Sequence, residues 1–572
     1  MVKKNQTSPY RFTASEIGAV KKSWKGRIRV ALVYPNTYAI GMSNLGFHAV
    51  YQLLNEREDV LCERVFLPED HPSATISISS LESGRPLSDF DIIAFSLSFE
   101  NDYPHVLTLL HQAGIPHLSA DRGDPIPLVM AGGVACFLNP EPLAEFFDFF
   151  MIGEAEALFP SFFEYFDPSI PREERLKALA QNVPGVYVPA FYHAHYSTKG
   201  VLDSFQPVFD VPSRIKRMFA GDLSCVPTCS GIISPHTVFH NTYLVEVGRG
   251  CPYGCRFCSA GYVYRPYRSR SYELLKGCLA KGESITNKIG LVGTAVSSLP
   301  DIYTLCQQMI QQGIHFSFSS LRADHLTIEM LSVLKDSGVK TATIAPDAGS
   351  QRMRDVINKG ISEDDILHGV EALVENNIPN LRFYFMIGLP TETMEDVDAI
   401  VTLCQKVKRR FLDSSRKKTR IGEITISLSP FVPKPFTPFQ WVSMNRIAEL
   451  KQKIQRVRTG LQGVSNVHLH ADSPRWAYIQ SLLSRGDRRV SRLLSAVHRS
   501  SDNWNKILKA SPVSGDFLAL RERSFEELLP WDFIDHGIHK DFLKNEYQRA
   551  IAGKETPPCD IGSCTICGVC KK

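Results

Sequence analysis

The chain has 572 residues, with Lys+Arg 64 against Asp+Glu 60, 44% apolar residues, 10% aromatics and 14 cysteines. At roughly 150 residues per domain the length suggests about three or four domains, and the 22% charged fraction excludes a mainly disordered chain. A formal net charge of +4 demands neither a nucleic acid nor an anionic membrane as partner.

The N-terminus, MVKKNQTSPYRF, lacks the apolar region of a signal peptide. The most apolar stretch, PLVMAGGVACFLNP, is broken by glycine and proline short of the ~18 residues a membrane span requires. The expectation is a soluble, cytoplasmic protein without a membrane partner. In a reducing compartment cysteines point to metal ligation rather than disulfides, and seven of the 14 fall into two tight clusters.

From Arg27, RIRVALVYP reads as a buried strand, PNTYAIGMSNLG as a glycine-bearing loop and HAVYQLLNE as the following helix. Further strands are predicted at 91–98 (DIIAFSLS), 126–133 (IPLVMAGG) and 147–154 (FDFFMIGE), separated by helical patterns such as YPHVLTLLHQAG and EPLAEF. Residues 1–190 are thus expected to form a doubly wound, flavodoxin-like parallel sheet. Its ligand crevice would lie beyond the carboxyl ends of the strands, at Asn36 to Gly41, Ser96 to Ser98 and Gly132 to Gly133. Residues 191–240, rich in Pro, Ser, His and Thr, read as a linker in which Cys225 and Cys229 are unpaired thiols.

A second alternation begins at Tyr243 with YLVEVG. It continues through IGLVG (289–293), HFSFSSL (315–321), TATIAP (341–346), LRFYFMIGLP (381–390) and EITISLSPF (423–431), with helices between. Six βα units over 241–445 predict a partial (β/α)6 barrel of TIM type, with active-site groups at the carboxyl ends of its strands. Residues 446–550 read as mainly helical, and 551–572 as a cysteine-rich metal-binding tail.

The first barrel strand runs into GRGCPYGCRFCSAG, which sets Cys251, Cys255 and Cys258 at C-x3-C-x2-C spacing. Three thiolates on one tight loop can ligate three irons of a cubic 4Fe-4S cluster and leave the fourth iron without a protein ligand. A single zinc would want a fourth ligand nearby, and none is evident.

This triple, with Phe257 before its last cysteine, resembles the signature of the radical S-adenosylmethionine (SAM) superfamily. The resemblance implies that SAM chelates the open iron, and that one electron cleaves its sulfonium to a 5'-deoxyadenosyl radical. It further implies that Ser319 and Arg322 hold the SAM carboxylate, that Asp347 in APDAGS stands in the fourth-strand motif, and that Gly388 in MIGLP lets adenine approach. The second strand, ending GLVGTAVSS, lacks the Gly-Gly-Glu often seen there. An electron donor such as flavodoxin or ferredoxin is implied as partner.

A flavodoxin-like domain before such a barrel resembles the cobalamin-binding subclass. YPNTYAIGMSNLG, GGVACFLNPEPLAEF, FMIGEAEA and SPFVPKPFTPFQW resemble one family within it whose function is uncharacterised. Cobalamin is then the expected ligand of Asn36, Tyr38, Gly41, Ser96, Ser98, Gly132 and Gly133. No histidine stands where a lower cobalt ligand is often found, so the expectation is base-off binding, with a domain that has lost cobalamin and serves as scaffold or substrate platform as the alternative.

The tail, CDIGSCTICGVCKK, places Cys559, Cys564, Cys567 and Cys570 at C-x4-C-x2-C-x2-C. A second iron-sulfur cluster is the first reading, and structural zinc its rival. Residues 406–420 carry eight Lys/Arg against one Asp, and RGDRRVSR (485–492) adds more. Such runs are usually solvated helix ends and loops, so RNA is not favoured as partner. The expected function is SAM-derived radical chemistry or cobalamin-dependent methyl transfer on an unknown substrate. A tRNA-modifying enzyme and a non-catalytic iron-sulfur carrier or scaffold are the alternatives.

Overall fold

Runs of buried aliphatic residues build the first sheet: β1 (Ile28–Thr37), β2 (Val60–Leu67), β3 (Ile92–Ser96), β4 (Leu128–Gly132), β5 (Phe149–Met151) and β6 (Val186–Tyr187). The computed structural model describes residues 10–69, 78–294, 296, 300–319, 321–416, 421–500, 503–560 and 564–570. The strand order is β2-β1-β3-β4-β5-β6, with the first five parallel and β6 antiparallel to β5. This is the flavodoxin-like order, whose direction of winding reverses between β1 and β3 and opens a crevice there. Glu63 and Arg64 interrupt the apolar run of β2, so its sequence does not read as a buried strand. Both are buried, and Arg64 meets Glu16 at 2.7 Å and Glu82 at 2.6 Å.

Residues 191–240 are not merely a linker. β7 (Tyr192–Tyr196) and β8 (Leu202–Pro207) form an antiparallel hairpin whose Phe205 stacks on Tyr192 and on Phe533 of the C-terminal region. β9 (Ile215–Lys216) pairs with Ile534–Asp535. Aromatic and polar residues alternate along the hairpin, which hid it from a search for aliphatic runs.

The barrel begins with β10 (Tyr243–Glu246), followed by the short antiparallel pair β11 (Gly248–Arg249) and β12 (Arg268–Ser269). β13 (Lys288–Val292) and β14 (His315–Phe318) continue in parallel from β10. β15 (Thr341–Asp347), β16 (Asn380–Ile387), β17 (Ile424–Pro430) and β18 (Val467–Ala471) form a second parallel set. A parallel bridge from Leu321 to Ile344 joins the two sets. β18 adds a seventh parallel strand to the six predicted and lies in the stretch read as helical. Its sequence, VHLHA, is short and exposes both histidines.

Most of the remaining C-terminal region is helical and packs on the first domain. Asn139 Nδ2 donates to the carbonyls of Ser484 at 3.0 Å and Gly486 at 2.7 Å. RGDRRVSR is therefore docked rather than solvated: Arg485 is fully buried and Arg488 pairs with Glu141 at 2.9 Å. In the other basic run, Lys406 meets Glu363 at 2.5 Å and Arg410 meets Glu371 at 2.8 Å, while residues 417–420 lie outside the described residues. Among the described residues, no helix is long and apolar enough to cross a membrane.

Candidate active site

The cysteine loop is strung between β11 and β12. Gly250 turns the chain with φ +86, and a Cβ there would sit 2.7 Å from the Tyr264 carbonyl, so only glycine fits. Cys258 N donates to Cys255 O at 3.1 Å, closing the loop on itself. Burial pushes the Cys255 thiol up to about 12, against which the nearby Lys359 ammonium acts. Burial also raises Cys258, and the backbone amides of Gly261 and Ala260 donate to its sulfur. Three part-buried thiols that influence one another, with amide donors and one cation facing them, form a donor set suited to an iron-sulfur cluster. A cluster would remove the cost of holding these sulfurs as thiolates.

Arg256 anchors this loop. Its fully buried guanidinium donates to Glu546 Oε2 at 3.1 Å, to the carbonyls of Asp355 and Val356 at 3.1 and 3.0 Å, to Lys554 O at 2.7 Å and to Thr556 Oγ1 at 3.2 Å. Asn358, at φ +54, donates to Gly254 O and Thr556 O and accepts from Thr556 N at 2.7 Å. Cys559 N donates to Pro252 O at 2.9 Å. The C-terminal tail thus lies directly against the catalytic-type cysteine loop.

In the tail, burial raises the Cys559 thiol to about 11 and also raises Cys570. Arg265 hydrogen-bonds the Cys567 sulfur, lies near Cys559, and through Nε donates to Gly261 O at 2.7 Å. One guanidinium therefore touches both cysteine sites. The Cys559 and Cys564 sulfurs hydrogen-bond, yet among the described residues no three cysteine sulfurs lie within 4.8 Å of one another.

The cysteine loop is a partition between two cavities. One, of about 1400 Å3, is lined by Pro252, Gly254, Arg265, Cys559, Cys564 and Cys567. The other, of about 1050 Å3, meets the loop at Gly250 and Ser259 and reaches both the barrel strand ends and the crevice of the first sheet. Ser96, Ser98, Gly132 and Gly133 line this second cavity, as does Ser319, whose Oγ donates to Gly293 O at 3.1 Å. Asn44 lines it too, capping the helix Leu45–Glu56 and donating to Ser98 Oγ at 3.1 Å.

Other expected contacts lie elsewhere. Tyr38 is buried, stacks on Phe12 at 4.2 Å and donates to Glu16 at 2.5 Å. Gly41 abuts Phe66, which a Cβ would meet at 2.5 Å, and Asn36 Nδ2 is bound to Asp102 at 2.8 Å. None of these three lines the cavity. The Arg322 fork is engaged bidentately by Asp324 at 2.8 and 3.0 Å and stacks 3.8 Å over Tyr253, so it braces the cysteine loop instead of presenting a free fork to a carboxylate. Gly388, at φ +80, faces Leu450 and Asn445, where a Cβ would meet Leu450 at 2.9 Å. It packs against the start of the helix Ile447–Leu461 rather than leaving room for adenine. Phe257 packs, part-buried, against a small apolar cluster that includes Ala348, Met353 and Leu389.

Asp347, at φ +63, pairs with the buried Lys359 at 2.5 Å, beside Cys255. Lys359, Arg256, Arg265 and Asn44 were not singled out from sequence. Arg256 stands between Cys255 and Cys258 of the cysteine motif, which was the available signal for it. Among the seven cysteines outside the clusters, Cys225 is exposed and the other six are buried.

This geometry is that of a strand-end cysteine loop facing a shared cavity, as in an iron-sulfur enzyme. Residues 46–189 match the family model for the N-terminal part of radical SAM proteins, and 245–404 match that of the radical SAM superfamily. The chain belongs to the radical SAM superfamily, enzymes that use a 4Fe-4S cluster and SAM.

An uncharacterized protein of Methanocaldococcus jannaschii is 29% identical over 81% of this chain and 90% of its own length. An uncharacterized methyltransferase of Pyrococcus horikoshii is 25% identical over 29% of this chain and 37% of its own. Among solved structures, the radical SAM methyltransferase TsrM of Kitasatospora setae, with cobalamin and a 4Fe-4S cluster bound, has a TM-score of 0.48 at 13% identity, covering 85% of this chain and all of that one.

Proposed function

We propose that this enzyme reductively cleaves SAM at a cluster held by Cys251, Cys255 and Cys258, and binds a cobalamin-class cofactor across its first domain for methyl transfer or related radical chemistry. When bound, the cluster and SAM supply a 5'-deoxyadenosyl radical. The chain's own residues position these groups. Arg256 and Asn358 hold the loop, Lys359 balances charge beside Cys255, and Ser259, Thr294 and Ser319 line the cavity into which the reaction opens.

The observation that carries the cobalamin reading is the depth of the shared cavity. It runs past the strand ends into the first domain, between Leu32, Ala94 and Met130 on the sheet and Ala49 and Val50 on the helix Leu45–Glu56. Leu32, Ala94 and Met130 are register neighbours on three adjacent strands, so they form one face. Protein cores are close-packed, and an apolar opening of this extent suits the buried nucleotide tail of a corrinoid. Ser98 and Asn44 offer polar contacts at its mouth.

The test is anaerobic cobalamin binding, followed by absorbance, to the wild type and to Ala94→Leu and Ala49→Leu. Both substitutions should abolish corrinoid uptake while leaving iron content and uncoupled SAM cleavage intact. Undiminished uptake by both would remove the cobalamin reading and leave the SAM reading standing.

For the tail we favour a second iron-sulfur cluster over zinc. Although the Cys559 and Cys564 sulfurs are in contact, among the described residues no three of its sulfurs lie within 4.8 Å of one another, wider than the roughly 3.8 Å that tetrahedral zinc-sulfur bonds of about 2.3 Å require. Its contact with the catalytic loop through Pro252 and Arg265 suits electron relay from a flavodoxin- or ferredoxin-type donor.

A further inference from the structure

Far from both cysteine clusters, three histidines converge where the first domain meets the C-terminal helices. His111 lies in the last turn of the helix Tyr103–Gln112, His117 follows in the next loop, and His498 lies in the last turn of the helix Val490–Arg499. One ring nitrogen from each lies within 4.8 Å of the others. The rings surround a common point, with centroids 5.1 to 5.7 Å apart and planes crossing at 61° to 81°. A tetrahedral metal with nitrogen bonds of about 2.0–2.1 Å holds its ligands about 3.3 Å apart, so modest side-chain rotation closes the set.

We infer that His111, His117 and His498 form a site for one borderline divalent transition metal of the zinc, cobalt or nickel class, which fastens the first domain to the C-terminal helices. Three neutral imidazoles suit this class, and solvent completes the coordination. His111 is exposed, which gives the ion an entry path.

One further observation favours a cation here, and a second shows a ligand held in place. Two of the ligands sit at helix carboxyl ends, where the peptide dipoles present negative charge. The backbone of the third is held by Arg122, which donates to Pro116 O at 2.9 Å and His117 O at 3.3 Å and is itself paired with Asp148. The Arg499 and Arg122 guanidiniums oppose the ion.

The experiment uses untagged, full-length protein with its iron-sulfur sites reconstituted anaerobically, titrated with Co2+ and followed by visible absorption. The expected result is one Co2+ per chain with nitrogen-ligand bands and no thiolate charge-transfer band. The dissociation constant should rise about 100-fold in His117→Asn/His498→Asn and stay unchanged in the control His193→Asn/His195→Asn. If the paired variant does not fold, His111→Asn, an exposed position, should still weaken binding at least about tenfold and reduce the cobalt-dependent rise in melting temperature. Equal cobalt uptake by the wild type and either site variant, or bands of thiolate character alone, would overturn the site.

Discussion

Replacing Glu546 by alanine removes the one carboxylate that pairs with Arg256 among the described residues, and it does so 290 residues away from Arg256 in the chain. Arg256 is fully buried and the Glu546 side chain is 6% exposed, so little solvent screens the pair. All five guanidinium hydrogen bonds are made in the native state; the variant keeps four of them and leaves a buried charge without its counterion. Breaking a buried pair in this way costs about 3–5 kcal/mol. Because the pair ties the loop to the tail, the cost falls on local opening, and at about 3 kcal/mol the open population rises about 150-fold.

Iron loss to a chelator under anaerobic conditions reads that population directly, and should accelerate on the order of a hundredfold. Thr556→Val, which removes a hydroxyl that accepts from Arg256 and Arg549 and donates to Glu546, should accelerate it at least about tenfold, since a hydrogen bond to a charged group is worth about 1.5 kcal/mol or more. The double replacement Arg256→Met/Glu546→Leu should cost less than the sum of the single changes, because it leaves no buried charge unpaired. Wild-type iron loss from Glu546→Ala, or full additivity in the double variant, would refute the anchoring role.

Lys359→Met removes the cation beside Cys255 and should lower the catalytic-loop cluster's reduction potential by tens of mV, measured by redox titration, with Lys359→Arg restoring most of it. Arg265→Ala should deplete metal at the tail while the Cys251/Cys255/Cys258 site keeps its iron, as checked by iron content in a variant lacking the tail cysteines and in one retaining them. Iron uptake by the metal-free protein should rise with pH between about 6 and about 9. Burial holds Cys255 up to about 12 and raises Cys258, so ligation must release their protons; a flat uptake profile would argue against these thiols as ligands.

Local chemistry was legible in the sequence and remote contact was not. Ligand spacing within eight residues identified the cysteine loop, and period-two runs of aliphatics identified the parallel strands. The tail's position over the loop depends on Cys559 meeting Pro252 and Glu546 meeting Arg256, pairings some 300 residues apart that no local pattern encodes. Loop chemistry misled at Tyr38 and Gly41, where a glycine after a strand serves packing on Phe66 rather than a ligand. At Arg322, an aspartate two residues ahead engages the fork that a carboxylate would otherwise use. β18 and the β7–β8 hairpin escaped because their alternation is carried by histidine, tyrosine and serine instead of aliphatic residues.

The most direct test of the central claim is electron paramagnetic resonance of the dithionite-reduced, anaerobically reconstituted protein with and without SAM. SAM should shift the signal of one cluster, the shift should vanish in Cys255→Ala and persist in Cys567→Ala, and 5'-deoxyadenosine should form only where it persists. A reduced spectrum that SAM leaves unchanged, with no 5'-deoxyadenosine formed, would contradict the assignment of the Cys251/Cys255/Cys258 loop as the site of SAM cleavage.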